Sequence, residues 1–572
     1  MPLDLTNPAW TGDHPIAGRS GGEPRAAGPT ALAGRPGSPR PAGRAALAVA
    51  GALFAGLLAA PGCARRTGPS VPAEDVVVVG RTSAAMNLDP RVGTDAASEE
   101  AADLLYDGLL AKRPDGDLVP ALAERWEVLD GGLRYRFRLR EGVVFHDGRR
   151  LTSADVAWTF RSIADGTVAT AKRAAFAQLA HAEAVDGRTV DLHLSEPYAS
   201  FPVELTLGIV PEGTMPDEIG RRPVGTGPFR FVSRSPERLV LAAFDRCWSG
   251  RPRLDRVELA EIPDATVRAL ALLKGSVHLV VNDLPPDVVP RFRADPAFRV
   301  VEGPSGDYAY LGFNLRDPVL SDVRVRRAVA LAIDRERLVA TLWRGLGEVT
   351  ETMMPPGHWA RDESLEPRPH DPAAARRLLD AAGYPDPDGP GPRPRLRLEL
   401  KTSTSETYAL QAQVIQAMLA EVGIELAVVT REFATFYEDV KRGSFQMFTL
   451  LRTSIVDPNI YQLTLHSASV PPAGQNRGFW SNPRFDRLID RANLVTDRAA
   501  RRPLYVEAQR IAARELPYVS LFFKRNVAVM PAELRGFETY VSGSLRSVPE
   551  LWWDRGEAPP RRARRLRDGR GL

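Results

Sequence analysis

Trp126-Glu127-Val128-Leu129-Asp130-Gly131-Gly132-Leu133-Arg134-Tyr135-Arg136-Phe137-Arg138-Leu139-Arg140-Glu141-Gly142-Val143-Val144-Phe145-His146-Asp147-Gly148 reads as the rim of a β-hairpin. Leu133, Tyr135, Phe137 and Leu139 alternate with Arg134, Arg136, Arg138 and Arg140. A period of two puts the first set on a buried face and the second in water. Asp130-Gly131-Gly132 supplies the turn before that strand, because Asp and Gly accept the left-handed conformations of tight connections.

Outward from this hairpin, strand and helix patterns alternate. Residues 76–79 are four consecutive valines, the pattern of a strand buried on both faces in an α/β arrangement. Residues 98–110 place Ala101, Leu104, Leu105 and Leu109 at helical spacing after a polar, acidic first turn, Ser98-Glu99-Glu100. Thr152-Ser153-Ala154-Asp155 opens another helix through Phe160. Pro223-Val224-Gly225-Thr226-Gly227-Pro228-Phe229 reads as a rigid loop leading into a strand at 229–232; it lacks the Lys and following helix of a nucleotide-binding loop. Further helices are predicted from Ser321 to Ala332, from Asp334 to near Gly345, and from the Asp371-Pro372 cap to Gly383. Leu396, Leu398 and Leu400 alternate with charged residues as a strand, followed by a helix at 408–422 and a strand at 424–429. That β-α-β order favours parallel pairing. A last helix is predicted over 498–515.

At 572 residues the chain exceeds what one core can organise. Its 44% hydrophobic and 26% charged content are those of an ordinary globular protein. The net charge of +4 comes from the ends: residues 1–62 and the six-arginine tail from Arg561 are basic, and the body between them is acidic. That distribution argues against a nucleic-acid-binding surface. Two cysteines, Cys63 and Cys247, exclude a disulfide framework and a thiolate metal site, and Cys247 reads as a small half-buried apolar residue. The eight histidines are scattered without a close ligand pair, so neither a metal site nor a cofactor is assigned; His146 and His370 read as caps of structural turns. No H-E-x-x-H motif supports a secreted hydrolase, and no catalytic residue is assigned.

Arg40 and Arg44 precede an uncharged apolar run, 45–60, and then Pro61-Gly62-Cys63. These are the parts of an export signal, and the run is shorter than the ~20 residues that span a bilayer. Cys63 after Gly62 resembles the lipidated cysteine of a lipoprotein, with simple secretion as the alternative. Acylation adds ~0.8 kcal/mol of anchoring per buried methylene, which places the protein in the periplasm or on the outer face of the cytoplasmic membrane. Residues 1–44 form a long Pro/Gly/Arg-rich leader, 64–73 a tether, and 558–572 a solvated basic tail.

The wording of 120–148, P-x-L-A-E-x-W-E-V-x-D-G-G-L-x-Y-x-F-x-L-R-E-G-V-x-F-H-D-G, resembles the family 5 bacterial extracellular solute-binding proteins. The resemblance continues in order through Leu88-Asp89-Pro90, Leu105-Tyr106-Asp107-Gly108-Leu109, 223–229, Trp248–Asp255 and Ile262-Pro263-Asp264-Ala265. It closes with Tyr310–Leu315, Asp322–Arg335, His370-Asp371-Pro372 and Asn476–Pro483. It implies a type II periplasmic-binding fold, α/β, with two lobes about a hinge and an inserted third subdomain. One lobe would comprise 75–117, 220–312 and 525–557, the inserted subdomain 118–219, and the second lobe 313–524. The implied role is that of the solute-binding component of an ABC importer, a monomer that delivers a peptide or peptide-like solute to the permease. A lipoprotein of the same fold with a chaperone or sensing role is the alternative.

In peptide-binding relatives a segment resembling W-x-G-D-x-x-D-P carries an Asp that pairs with the peptide's α-amino group. Here the segment is Leu451-Arg452-Thr453-Ser454-Ile455-Val456-Asp457-Pro458, so Ser454 falls where that Asp would be. A buried ammonium without a carboxylate partner is unfavourable by a few kcal/mol, and Ser cannot supply the charge. Two readings stay open: a ligand with a carboxylate or phosphate that Arg452 grips, or a free-amine ligand whose partner is Glu425, Glu432 or another acid. The residues expected to face the cleft are Ser83, Arg452, Ser454, Asn476 and Trp480.

Overall fold

The computed structural model describes residue 72 and residues 74–389 and 391–556, all within one compact unit, Arg66–Leu572. The expectations for the leader, Cys63 and the basic tail lie outside the described residues. The valine run becomes the strand Val76–Arg81, buried at every position, and pairs in parallel with Arg256–Glu261. Arg238–Ala243 and Phe229–Arg234 extend this sheet antiparallel, giving four strands over a core that includes Val77, Leu104, Leu241 and Val257.

The opening hairpin lies in a second four-stranded sheet, all antiparallel, in the order Ala123–Leu129, Arg134–Leu139, Thr189–Leu194 and Leu179–Asp186. Tyr135, Phe137 and Leu139 are buried against Phe160 and Phe176, and the intervening arginines face outward to Asp186 and Asp191. Asp130, Gly131 and Gly132 all have positive φ, at 52°, 65° and 96°. Leu133 departs from the expected pattern: it belongs to the turn rather than the strand and is 38% exposed.

The largest sheet among the described residues has seven strands. Its backbone is a pair of long antiparallel strands, Phe298–Phe313 and Tyr518–Pro531. The register shifts between Pro304 and Tyr308, at a bulge. On one side of the bulge Val529 packs in a core with Val78 and Phe298; on the other, Leu311 and Leu521 pack in a core with Val329 and Leu400. The two strands therefore carry the chain from one core to the next. Leu396–Ser403, Glu406–Ala420 and Ile424–Arg431 form the β-α-β unit, and the strands pair in parallel as expected.

Several boundaries differ from the sequence reading. The first helix is Ala96–Leu105, because the Asp95 side chain accepts from the Ser98 amide and caps it earlier, and Tyr106 leaves it in extended conformation. Asp322, not Ser321, caps Val323–Ala332. The helices Ala265–Lys274, Phe433–Arg442 and Pro483–Leu494 were not predicted. His146 is not a cap: its Nδ1 accepts from the Gly225 amide at 3.2 Å and its Nε2 lies 3.0 Å from the Gly227 carbonyl, clamping the 223–229 loop onto the hairpin turn. His370 faces Asp334, the N-cap of Arg335–Leu342, at 3.8 Å.

Candidate functional site

A cavity of about 490 Å³ opens where six segments converge. The helix Ala96–Leu105 contributes Glu99, Glu100 and Asp103; Glu99 and Asp103, four residues apart, share one face. Lys112 projects from the strand Leu110–Lys112, Lys172 from the turn Ala171–Phe176, and Glu204 from the short helix Phe201–Glu204. The far wall is Ser454 and Val456 with Ser542, Gly543, Ser544 and Arg546.

That wall is stitched by backbone. Ser454 takes a left-handed φ of 54°, its amide donates to Asp307 Oδ1 at 3.1 Å, and its hydroxyl donates to the Ser542 carbonyl at 3.1 Å. The Ile455 amide donates to the Gly306 carbonyl, and the Gly306 amide to the Val541 carbonyl. A Cβ on Gly306 would sit 2.7 Å from the Ile455 nitrogen, so only glycine lets these segments meet.

Most charges that line the cavity are matched. Asp103 pairs with Arg546 at 2.8 Å, Glu99 with Lys172 at 3.9 Å, and Glu100 with the buried Arg81. Burial lifts the Glu100 carboxyl to about 8 against the pull of Arg81 and lifts Glu99 against Lys172. It also lowers the Lys172 ammonium, which Glu99 partly offsets. Glu204 is raised to about 7, again chiefly by burial, with Lys112 opposing. Lys112 is lowered by burial and by Arg546, against Asp103, Glu204 and Glu99. Among the described residues, neither Glu204 nor Lys112 has an ion-pair or hydrogen-bond partner for its side chain.

Of the five residues expected at the cleft, this cavity includes Ser454 alone. Ser83 is exposed beside Arg81 at a separate crevice of about 20 Å³, room for little more than a water. Arg452 ends the strand Met447–Arg452, opposite Tyr308, and is held by Gln475. Asn476 is fully buried and spends its amide on the carbonyls of His466 and Trp480. Trp480 is core: it packs on Phe485 at 4.9 Å and donates to Glu515 at 2.8 Å. Glu425 and Glu432, the acids considered as substitutes, are engaged elsewhere, Glu425 with Arg397 and Glu432 as the cap of Phe433–Arg442. Apart from Ser454, the residues that line the cavity were missed in the sequence. Glu99 and Asp103 had a signal in their i, i+4 spacing; Lys112 and Glu204 are single charges with none. Also among the described residues, no three His, Cys, Asp or Glu side chains gather as a metal site requires.

Residues 117–470 match the model for the bacterial extracellular solute-binding proteins, family 5 middle region. The chain belongs to that family. Its relatives include the dipeptide-binding protein of Escherichia coli, 26% identical over 79% of this chain and 89% of that one. They also include heme-binding protein A of Haemophilus influenzae, 27% identical over 74% and 82%, and the peptide transport periplasmic protein SapA of Salmonella typhimurium, 30% identical over 76% and 83%. Among solved structures, the periplasmic binding protein DppA of Helicobacter pylori in complex with the peptide STSA superposes with a TM-score of 0.70, at 26% identity, covering 84% of this chain and 98% of that one. The family 5 chain thus has the two-lobed α/β fold of periplasmic binding proteins, with the long strand pair Phe298–Phe313 and Tyr518–Pro531 joining its cores.

Proposed function

We propose that this protein is the extracytoplasmic solute-binding component of an ABC importer, that it encloses a peptide or peptide-like small solute in the 490 Å³ cavity, and that it hands the solute to the permease. The observation that carries this reading is the cavity itself. Its volume lies within the ~300–1,000 Å³ of small-ligand sites, and its lining charges are of both signs, as a solute with charged ends requires. The Helicobacter protein solved with STSA and the dipeptide-binding relative support the solute class. Our division into lobes at 75–117 with 220–312 and 525–557, at 313–524, and into an inserted subdomain at 118–219 is supported by the separate cores. In our reading the protein is a monomer, anchored by acylated Cys63 at the outer face of the cytoplasmic membrane.

Thermal unfolding with an equimolar pool of free di- and tripeptides tests the solute class. A ligand at one hundred times its Kd stabilises by about 2.7 kcal/mol, so Tm rises with peptide concentration. A Tm that stays flat to millimolar peptide contradicts the reading.

A further inference from the structure

Glu204 and Lys112 are the two charges that the cavity leaves unmatched. The other acids along the wall have cations within ion-pair distance: Arg81 for Glu100, Lys172 for Glu99 and Arg546 for Asp103. Glu204 and Lys112 feel each other's field without forming an ion pair, and both are half-buried at the same cavity. Holding a lone carboxylate and a lone ammonium in a partly dehydrated pocket is unfavourable unless something else satisfies them. Ser454, which stands on the opposite wall, contributes no charge, and its hydroxyl is engaged with Ser542.

We propose that Glu204 accepts the ammonium group of a zwitterionic peptide ligand and that Lys112 donates to its carboxylate, so that the ligand lies across the cavity as the missing bridge between them. The proposal rests on the peptide reading above and names the partner of the amine. It assigns the ligand's charge to a carboxylate of the 118–219 segment instead of to position 454. Glu204 is flanked by Lys112, Lys172 and Asp457, and Lys112 by Arg546, Asp103, Glu99 and Glu204. Because burial holds the Glu204 carboxyl near 7, the amine is gripped fully only above neutral pH.

The test is calorimetric titration at pH 8 of the full mature protein, first with the free di- and tripeptide pool. The tightest member is then compared with its N-acetyl and C-terminal amide forms. N-acetylation and Glu204→Gln should each weaken binding by about 30-fold or more, and together by little more than either alone. Amidation and Lys112→Met should behave as a second such pair. Unliganded Glu204→Gln should melt at or above the wild-type temperature, since an unmatched charge has gone; a merely structural Glu204 would lower it. Free-peptide affinity of the wild type should fall between pH 8 and pH 6 and that of Glu204→Gln should not. If the pool binds and Glu204→Gln leaves affinity unchanged, or its loss multiplies with that from acetylation, the Glu204 assignment is overturned while the peptide reading stands. If the wild type binds no member of the pool, both fall.

Discussion

Gly225 and Gly227 are pressed against the end of the helix Ala96–Leu105. A Cβ on Gly225 would overlap the Leu105 carbonyl oxygen, and one on Gly227 would sit 2.6 Å from the Tyr106 nitrogen. Gly225→Ala should therefore destabilise by about 1–3 kcal/mol or more, read as a lower midpoint of denaturant unfolding with unchanged slope. His146 clamps the same loop as a neutral imidazole, its pKa pushed down to about 4 by burial. A group depressed in the native state binds protons more readily when unfolded, so this contribution is intact above about 6.5 and is lost as pH falls towards 4. His146→Gln should flatten that acid limb in unfolding curves. The two glycines were legible as a rigid loop; the clamp was not, because no local pattern says that a turn histidine reaches a loop some eighty residues on. The same limit explains Asn476 and Trp480. Their motif was readable, but not that its side chains turn inward to hold His466 and Glu515.

Between elements, the 198–200 corner meets the start of the helix Ile460–Leu465. The Ser200 hydroxyl donates to Asp457 Oδ1 at 2.7 Å, the Asn459 side chain donates to the Tyr198 hydroxyl at 2.7 Å, and Arg501 of the helix Arg498–Glu515 reaches Ser200 at 3.2 Å. These bonds join the hairpin-bearing segment to the part of the chain that carries Ser454, so they favour a closed cavity. Asp457→Ala removes an acceptor shared by Ser200 and the Asn459 amide. It should loosen the closed state and weaken peptide binding several-fold, with a larger radius of gyration in small-angle scattering. Local elements with clean periodicity were readable: Val76–Arg81 from its valines, Leu396–Ser403 from alternation, and Arg498–Glu515 to the residue. Phe298–Phe313 was not, because Gly303-Pro304-Ser305-Gly306 looks like a break. Pairing with Tyr518–Pro531 across a bulge carries the strand through it. The helix Pro483–Leu494 was missed although Asn482 caps it and Pro483 begins it, the usual start signals.

Across the molecule, the proposed site gathers half-buried charges, of which Glu204 and Lys112 lack a partner of their own among the described residues. Glu100 and Glu204 are raised to about 8 and about 7, mainly by burial; Arg81 opposes the first, while Asp283 and Asp103 add to it. Carboxyls raised in the native state stabilise below their unfolded values and lose that contribution as pH rises through the folded ones. Above 6.5 the His146 contribution no longer changes, so unliganded stability should fall between pH 6.5 and 8, measured by denaturant unfolding across that range. Bound peptide should oppose the fall. The family-level fold was legible because its motifs run in order along the chain, whereas the cavity is assembled from side chains on six separate segments.

The most direct measurement is native mass spectrometry of the gently purified protein, residues 64–560, against its denatured mass. The expected result is a ladder of bound masses that fragment into short peptides with free termini, reduced in Glu204→Gln. A single bound species without amino and carboxylate ends would contradict it.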